Sequence, residues 1–225
     1  MEQNPKFEGK CLFCGKMFAK AGINRHLKSE LEKLAESKPK GQSFLVKVET
    51  NPHWGATPYF LSLWVDREAT LKQIDQFLRD IWLECCGHLS SFGEIDMSKK
   101  AGTVFYKDLK LDYEYDFGSS TELQLTVLEE YPVKADTKIV LLSRNEPPEM
   151  LCDICKKEPA TQICSVCLGE DESIFCDKCS KKHAKKCEDF ADYASMPVVN
   201  SPRVGVCAYN GGTIDIERDG VFVKK

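Results

Sequence analysis

The sequence predicts an α+β fold, a central β-grasp-like mixed sheet with one main amphipathic helix, flanked at each end by a cysteine-rich module. Three observations predict it. Two apolar runs, Phe44–Glu49 and Tyr59–Val65, flank a turn at 51–55 and read as paired strands. Directly after them, Leu71, Ile74, Phe77, Leu78, Ile81 and Trp82 fall on one face at helical spacing, with Thr70 placed to cap the helix. Nine of the twelve cysteines sit in short, regular spacings near the two ends of the chain.

At 225 residues the chain is long enough for one substantial core plus small modules. The expected division is 1–40, 41–147, 148–190 and 191–225. There is no run of eighteen apolar residues, so no membrane span and no membrane partner are expected. The first residues lack the apolar segment of a secretory leader. The expected compartment is therefore the reducing cytoplasm, where cysteines serve metals more often than disulfides.

The net charge of −4 is unevenly spread. Residues 1–40 carry nine Lys/Arg against five Asp/Glu, whereas 41–150 carry eleven against eighteen. Only the N-terminal segment has the charge balance that attracts a phosphate backbone.

In that segment, Cys11-x-x-Cys14 precedes Phe18 and Ile23-x-x-His26. The arrangement looks like the first three-quarters of a two-Cys, two-His zinc finger, with Phe18 and Ile23 as its small core. A fourth Cys or His is absent, and Glu30 lies one helical turn beyond His26. The site is either Cys11, Cys14 and His26 with Glu30 or water on a third zinc, or a decayed finger. The helix should run to about Ser37, where Pro39 and Gly41 end it. Lys10, Lys16, Lys20, Arg25, Lys28 and Lys33 decorate this module. They read equally as nucleic-acid contacts and as a solvated helix face.

In the central region further strands are expected near 103–107, 111–116, 122–128 and 138–143, with a turn at Gly118-Ser119-Ser120. Three stretches carry a resemblance: Trp82-Leu83-Glu84-Cys85-Cys86-Gly87-His88-Leu89-Ser90-Ser91-Phe92, Tyr115-Asp116-Phe117-Gly118 and Leu141-Leu142-Ser143-Arg144-Asn145-Glu146-Pro147. They resemble the plasmid pRiA open-reading-frame-three-like family over about residues 44–145, in the branch that adds zinc-ligand segments. The resemblance implies an α+β core and a setting among mobile-element genes. Where many members have an acidic residue, a Trp and a His after Asp-Phe-Gly, this chain has Ser119, Ser120, Glu122 and Leu123.

Adjacent cysteines project in divergent directions. With His88, Cys85 and Cys86 could form a third metal site or a reactive thiol pair, but two adjacent thiols on one ion are awkward, so the expectation is buried thiols and a structural histidine at the helix end. The acidic residues of this region read as solvent-exposed strand faces.

The densest signal is C-terminal. Cys152-x-x-Cys155, Cys164-x-x-Cys167, Cys176-x-x-Cys179 and His183-x-x-x-Cys187 supply four ligand pairs. A tight turn aims both sulfurs of a Cys-x-x-Cys the same way, and residues four apart share a helix face. Four pairs fill two tetrahedral structural zinc sites. The pattern resembles B-box and related cross-braced fingers, which implies Cys152, Cys155, Cys176 and Cys179 on one ion and Cys164, Cys167, His183 and Cys187 on the other. A sequential, ribbon-like pairing is the alternative. Ile154, Ile163, Val166, Leu168, Ile174 and Phe175 are the apolar residues available for its core. Beyond it, a hairpin is expected around Arg218-Asp219-Gly220, and Cys207 is expected to be a core thiol.

The chain shows no phosphate-binding glycine loop, no nucleophile elbow and no open three-ligand zinc site. The leading expectation is a non-enzymatic zinc protein, an adaptor binding nucleic acid through the basic segment or protein through the C-terminal module. The alternatives are an enzyme or accessory factor in DNA rearrangement, and a thiol- or zinc-based redox sensor.

Overall fold

The computed structural model describes residues 7–51 and 57–214. Residues 52–55 of the expected turn and the hairpin expected around Arg218-Asp219-Gly220 lie outside the described residues. The chain is mixed α+β, with a large antiparallel sheet and few helices. It divides into two compact units.

The first unit comprises Met1–Leu78 and Leu89–Glu146. Its strands are β1 (Glu8–Cys11), β2 (Met17–Ala19), β3 (Lys40–Thr50), β4 (Phe60–Asp66), β5 (Ser90–Ser91), β6 (Lys110–Tyr115), β7 (Thr121–Val133) and β8 (Ile139–Asn145). They form one sheet in the order β2-β1-β8-β4-β3-β7-β6-β5. Every pairing described in it is antiparallel, so the mixed sheet expected from the sequence is not what these strands build. Some neighbours follow one another through short reversals, such as β1 and β2 or β6 and β7, while longer connections, α1 between β2 and β3 among them, also deliver strands that pair antiparallel.

β4 lies between β8 and β3 and is buried at all seven positions, as a central strand covered on both faces should be. Its side chains alternate. Phe60 and Trp64 join Leu45, Tyr131, Val133 and Leu142 in a core that also takes Ile23, Leu27 and Leu31 from helix α1 (Lys20–Ala35). Those three residues recur at intervals of four on one helix face. Leu63 and Val46 pair on the opposite face of the sheet. Trp64 donates its buried indole N–H to Ser43 Oγ at 2.8 Å, so this large side chain brings no unsatisfied donor into the core.

Helix α2 (Leu71–Leu78) begins with a reciprocal cap. Gln73 N donates to Thr70 Oγ1 at 3.2 Å, and Thr70 N donates to Gln73 Oε1 at 3.0 Å. The strand expected at 103–107 is not there. Residues Ala101–Val104 instead form the short helix α3, whose first N–H groups reach back to the loop before α2, Ala101 to Ala69 O and Gly102 to Arg67 O. A Cβ at Gly102 would stand 2.9 Å from Arg67 Cβ, so this close approach requires glycine. At the turn between β6 and β7, Asp116 has φ 64° and accepts from Gly118 N and Ser119 N, an Asx-type reversal.

The second unit comprises Arg79–His88 and Pro147–Lys225. It holds β9 (Gln162–Cys164), β10 (Ile174–Phe175) and β11 (Ser195–Pro197) in the order β10-β9-β11, with helix α4 (Asp177–His183) and π-helical turns at Arg79–Leu83 and Phe190–Ala194. Its core is small: Phe175, Phe190 and Ala194 pack with Cys152, Cys164, Cys176 and Cys179. Val166 and Leu168, expected in this core, are exposed. They lie in the loop after β9, and Phe190 and Ala194, from beyond Cys187, fill the interior instead. Among the described residues no helix is long and apolar enough to cross a membrane.

Candidate metal centres

Four groups of cysteine and histidine side chains offer ligand atoms within 4.8 Å of one another. The first is Cys152, Cys155, Cys176 and Cys179. The loop at Cys152–Cys155 closes through Lys156 N donating to Cys152 O at 2.8 Å, with Lys156 at φ 52°. Asp153 ties this loop to β10, its Oδ2 accepting from Ser173 N and Ile174 N at 2.9 Å each. Partial burial opposes the Asp153 charge. The two N–H groups and Lys156 outweigh that and hold the carboxyl below its usual range. Cys176 is the N-cap of α4 and Cys179 lies in its first turn, so the helix start brings this pair together. Cys155 Sγ and Cys176 Sγ are 4.0 Å apart.

Crowding the sulfurs separates their acidities. Burial raises the Cys152 thiol, but the N–H groups of Cys155, Cys176 and Ile154 prevail and bring it to about 6. Burial and the neighbouring sulfurs push Cys179 up to about 12. Four cysteines this close can all be thiolate only with a cation among them, and this donor set suits a soft or borderline divalent ion.

The second group is Cys164, Cys167, His183 and Cys187. Cys164 ends β9, His183 ends α4, and Cys187 N donates to His183 O at 2.9 Å, keeping this pair one helical turn apart. Cys167 Sγ lies 3.7 Å from His183 Nε2. Phe175 stacks on the imidazole at 4.2 Å and Phe190 meets it edge-on at 4.9 Å. This burial lowers the pKa of His183 and favours the neutral ring that ligates metals. An open acidic depression containing Glu170, Asp171, Glu172, Glu188 and Asp189 adjoins the group.

The third group has three members, Cys11, Cys14 and His26. The turn between β1 and β2 closes through Gly15 N to Cys11 O at 2.8 Å, with Gly15 at φ 72°. His26 comes from α1, its Nε2 3.3 Å from Cys14 Sγ and its ring stacked on Phe18 at 4.2 Å. Glu30 does not join them; Lys33 Nζ donates to its Oε1 at 2.8 Å, three residues along the same helix. Several lysines of this segment are likewise paired with acids. Lys20 meets Glu49 at 2.9 Å, Lys28 meets Glu129 at 3.2 Å, and Lys38 meets Asp136.

The fourth group brings together Cys85, Cys86 and His88, whose grouping the sequence disfavoured, with Cys207, which was not expected there. Cys207 is no core thiol. It is exposed, as is Cys86. The motif spacing could not reveal this group, because Cys207 lies 119 residues beyond His88.

No family model matches the chain. No curated protein matches it. Among solved structures, the chain is similar to the crystal structure of a protein of unknown function, MM3350 from Methanosarcina mazei Go1, at 15% identity and a TM-score of 0.36, over 45% of this chain and 67% of that one.

Proposed function

We propose that this chain is a zinc-binding adaptor whose C-terminal module is a two-zinc cross-brace. The observation that carries the reading is the interleaving of the ligand groups. The first and third pairs, Cys152/Cys155 and Cys176/Cys179, converge, and so do the second and fourth, Cys164/Cys167 and His183/Cys187. Three or four thiolates with at most one imidazole are the donor set of structural zinc. Each ion contributes on the order of 10 kcal/mol to folding of such a module. The core of Phe175, Phe190 and Ala194 is too small to hold the module without it.

With four ligands on each ion, neither keeps a position for substrate, so these zincs act by shaping a surface. The module exposes Leu151, Val166, Leu168 and Tyr193, which favours a protein partner. The pairing of Lys20, Lys28 and Lys38 with carboxylates weakens the case for a phosphate backbone on the N-terminal segment. Cys11, Cys14 and His26 form a third, three-ligand site of lower affinity. A pRiA-type core over residues 44–145 rests on the sequence motifs quoted above.

Metal analysis of the full chain tests this: at least two zinc ions per chain, and loss of the C-terminal module's protease resistance on chelation. Fewer than two overturns the cross-brace. Capture of duplex DNA with a steep salt dependence that disappears when the surface residues Lys10, Lys16 and Arg25 are changed to Gln would overturn the protein-partner reading in favour of nucleic acid.

A further inference from the structure

Cys85, Cys86, His88 and Cys207 all belong to the second unit and take no part in the two-ion cross-brace. We propose that they bind a further divalent metal ion, zinc by the donor set of three thiolates and one imidazole, and that this ion ties segment 79–88 to segment 200–214.

Distances support it first. Zinc–sulfur bonds of about 2.3 Å and zinc–nitrogen bonds of about 2.0 Å set tetrahedral edges of roughly 3.8 Å between sulfurs and roughly 3.5 Å between sulfur and nitrogen. Cys86 Sγ and Cys207 Sγ are 4.0 Å apart, and His88 Nε2 is 3.2 Å from Cys207 Sγ. A disulfide between the same sulfurs would need about 2.05 Å.

Backbone geometry supports it next. The chain leaves the π-helical turn with Glu84 N on Arg79 O at 2.9 Å, then reverses at Gly87 with φ 74°. The reversal brings adjacent cysteines into one group with His88, which an extended chain would not do. Arg79 clamps the loop, donating to Glu84 Oε2 and to His88 O at 2.7 Å each. Across from it, Cys207 and Ala208 both sit at positive φ, 49° and 53°, where non-glycine residues are uncommon and persist only when the surrounding structure holds them.

The surroundings are built to hold both segments. Ser201 Oγ donates to Trp82 O at 2.7 Å, and Ile214 N donates to Asp80 O at 2.9 Å, so contacts on either side of Cys207 fix its segment to the first. Arg203, wholly enclosed, donates to Cys85 Sγ at 3.5 Å. The guanidinium brings a positive charge beside the sulfur. It also offsets the single negative charge left when three thiolates meet a divalent ion.

The test uses the full chain, loaded with zinc under reducing conditions. Cys86 and Cys207 should resist iodoacetamide until a chelator is added, although both are exposed. Cys207→Ser should lose one equivalent of metal relative to the parent. His88→Cys should keep the full content and, with cobalt in place of zinc, shift the visible bands as a fourth thiolate replaces nitrogen. The proposal is overturned if both cysteines alkylate at the rate of free thiols in the loaded protein. It is equally overturned if both substitutions leave the metal content and the cobalt spectrum unchanged, or if mass analysis finds a reducible Cys86–Cys207 disulfide instead of a metal.

Discussion

Phe175 lies flat against His183, ring centres 4.2 Å apart, and is itself fully buried. One residue thus supplies both the centre of the small C-terminal core and a wall of a metal-ligand group. Phe175→Ala should cost about 3–5 kcal/mol in stability. It should also lower metal affinity, because the imidazole loses the contact that fixes its orientation. Thermal melting with and without metal, alongside chelator competition, reads both effects. Stability loss without any change in affinity would mean that the ring orients nothing.

Interleaving of the ligand pairs predicts a specific pattern of non-additivity. Cys155→Ser together with Cys176→Ser should lose no more metal than either alone, since both empty one site. Cys155→Ser with Cys167→Ser should lose two equivalents. Ribbon-like sequential pairing predicts the reverse for both combinations, so metal content of the four proteins separates the arrangements.

Glu30 pairs with Lys33 and not with the sulfurs of Cys11 and Cys14. Glu30→Gln should therefore leave metal affinity at the N-terminal group unchanged, whereas His26→Ala should weaken it at least tenfold. Titration of the metal-free protein with cobalt would show an equal loss in both variants if Glu30 were a ligand.

Glu49 is half-buried between Lys20 and Lys47. Burial raises its pKa, but the two lysines prevail and hold it below the ordinary value of 4.5. With the folded pKa depressed, the unfolded chain binds the proton first. The stabilisation is complete above pH 4.5 and is lost as pH falls through the lower folded pKa. Glu49→Gln should cost about 1 kcal/mol at pH 7 and nothing once the parent carboxyl is protonated. Urea unfolding of both proteins across the acid range checks it, and a constant difference would dismiss the ion pairs as its source.

The four C-terminal ligand pairs were legible because each is local, two thiols across one turn or two ligands across one helical turn. The amphipathic faces of α1 and α2 were legible for the same reason, their burial following a short period. What the sequence hid is non-local. Residues 103–107 read as a strand, yet 101–104 form a helix whose first N–H groups bond to Ala69 and Arg67. The adjacency of β1 and β8 joins residues more than 130 positions apart, and no pattern within either strand announces the pairing. Cys85, Cys86 and Cys207 read as leftovers because the turn that aligns the first two depends on Arg79, and the third arrives from the far end of the chain.

The second unit is discontinuous in sequence, since Arg79–His88 belongs to it although both flanking stretches belong to the first. It is therefore no cassette that can be cut out at a single point. A fragment beginning at Pro147 would carry all eight residues of the two interleaved Cys/His groups and still lack the carbonyls of Asp80 and Trp82 on which its own C-terminal segment is fastened. Such a fragment should be soluble only as far as the metal holds it, with residues 200–214 open to proteases. Any homologue that gained or lost this unit in one step would have had to rewrite the loop between α2 and β5 at the same time.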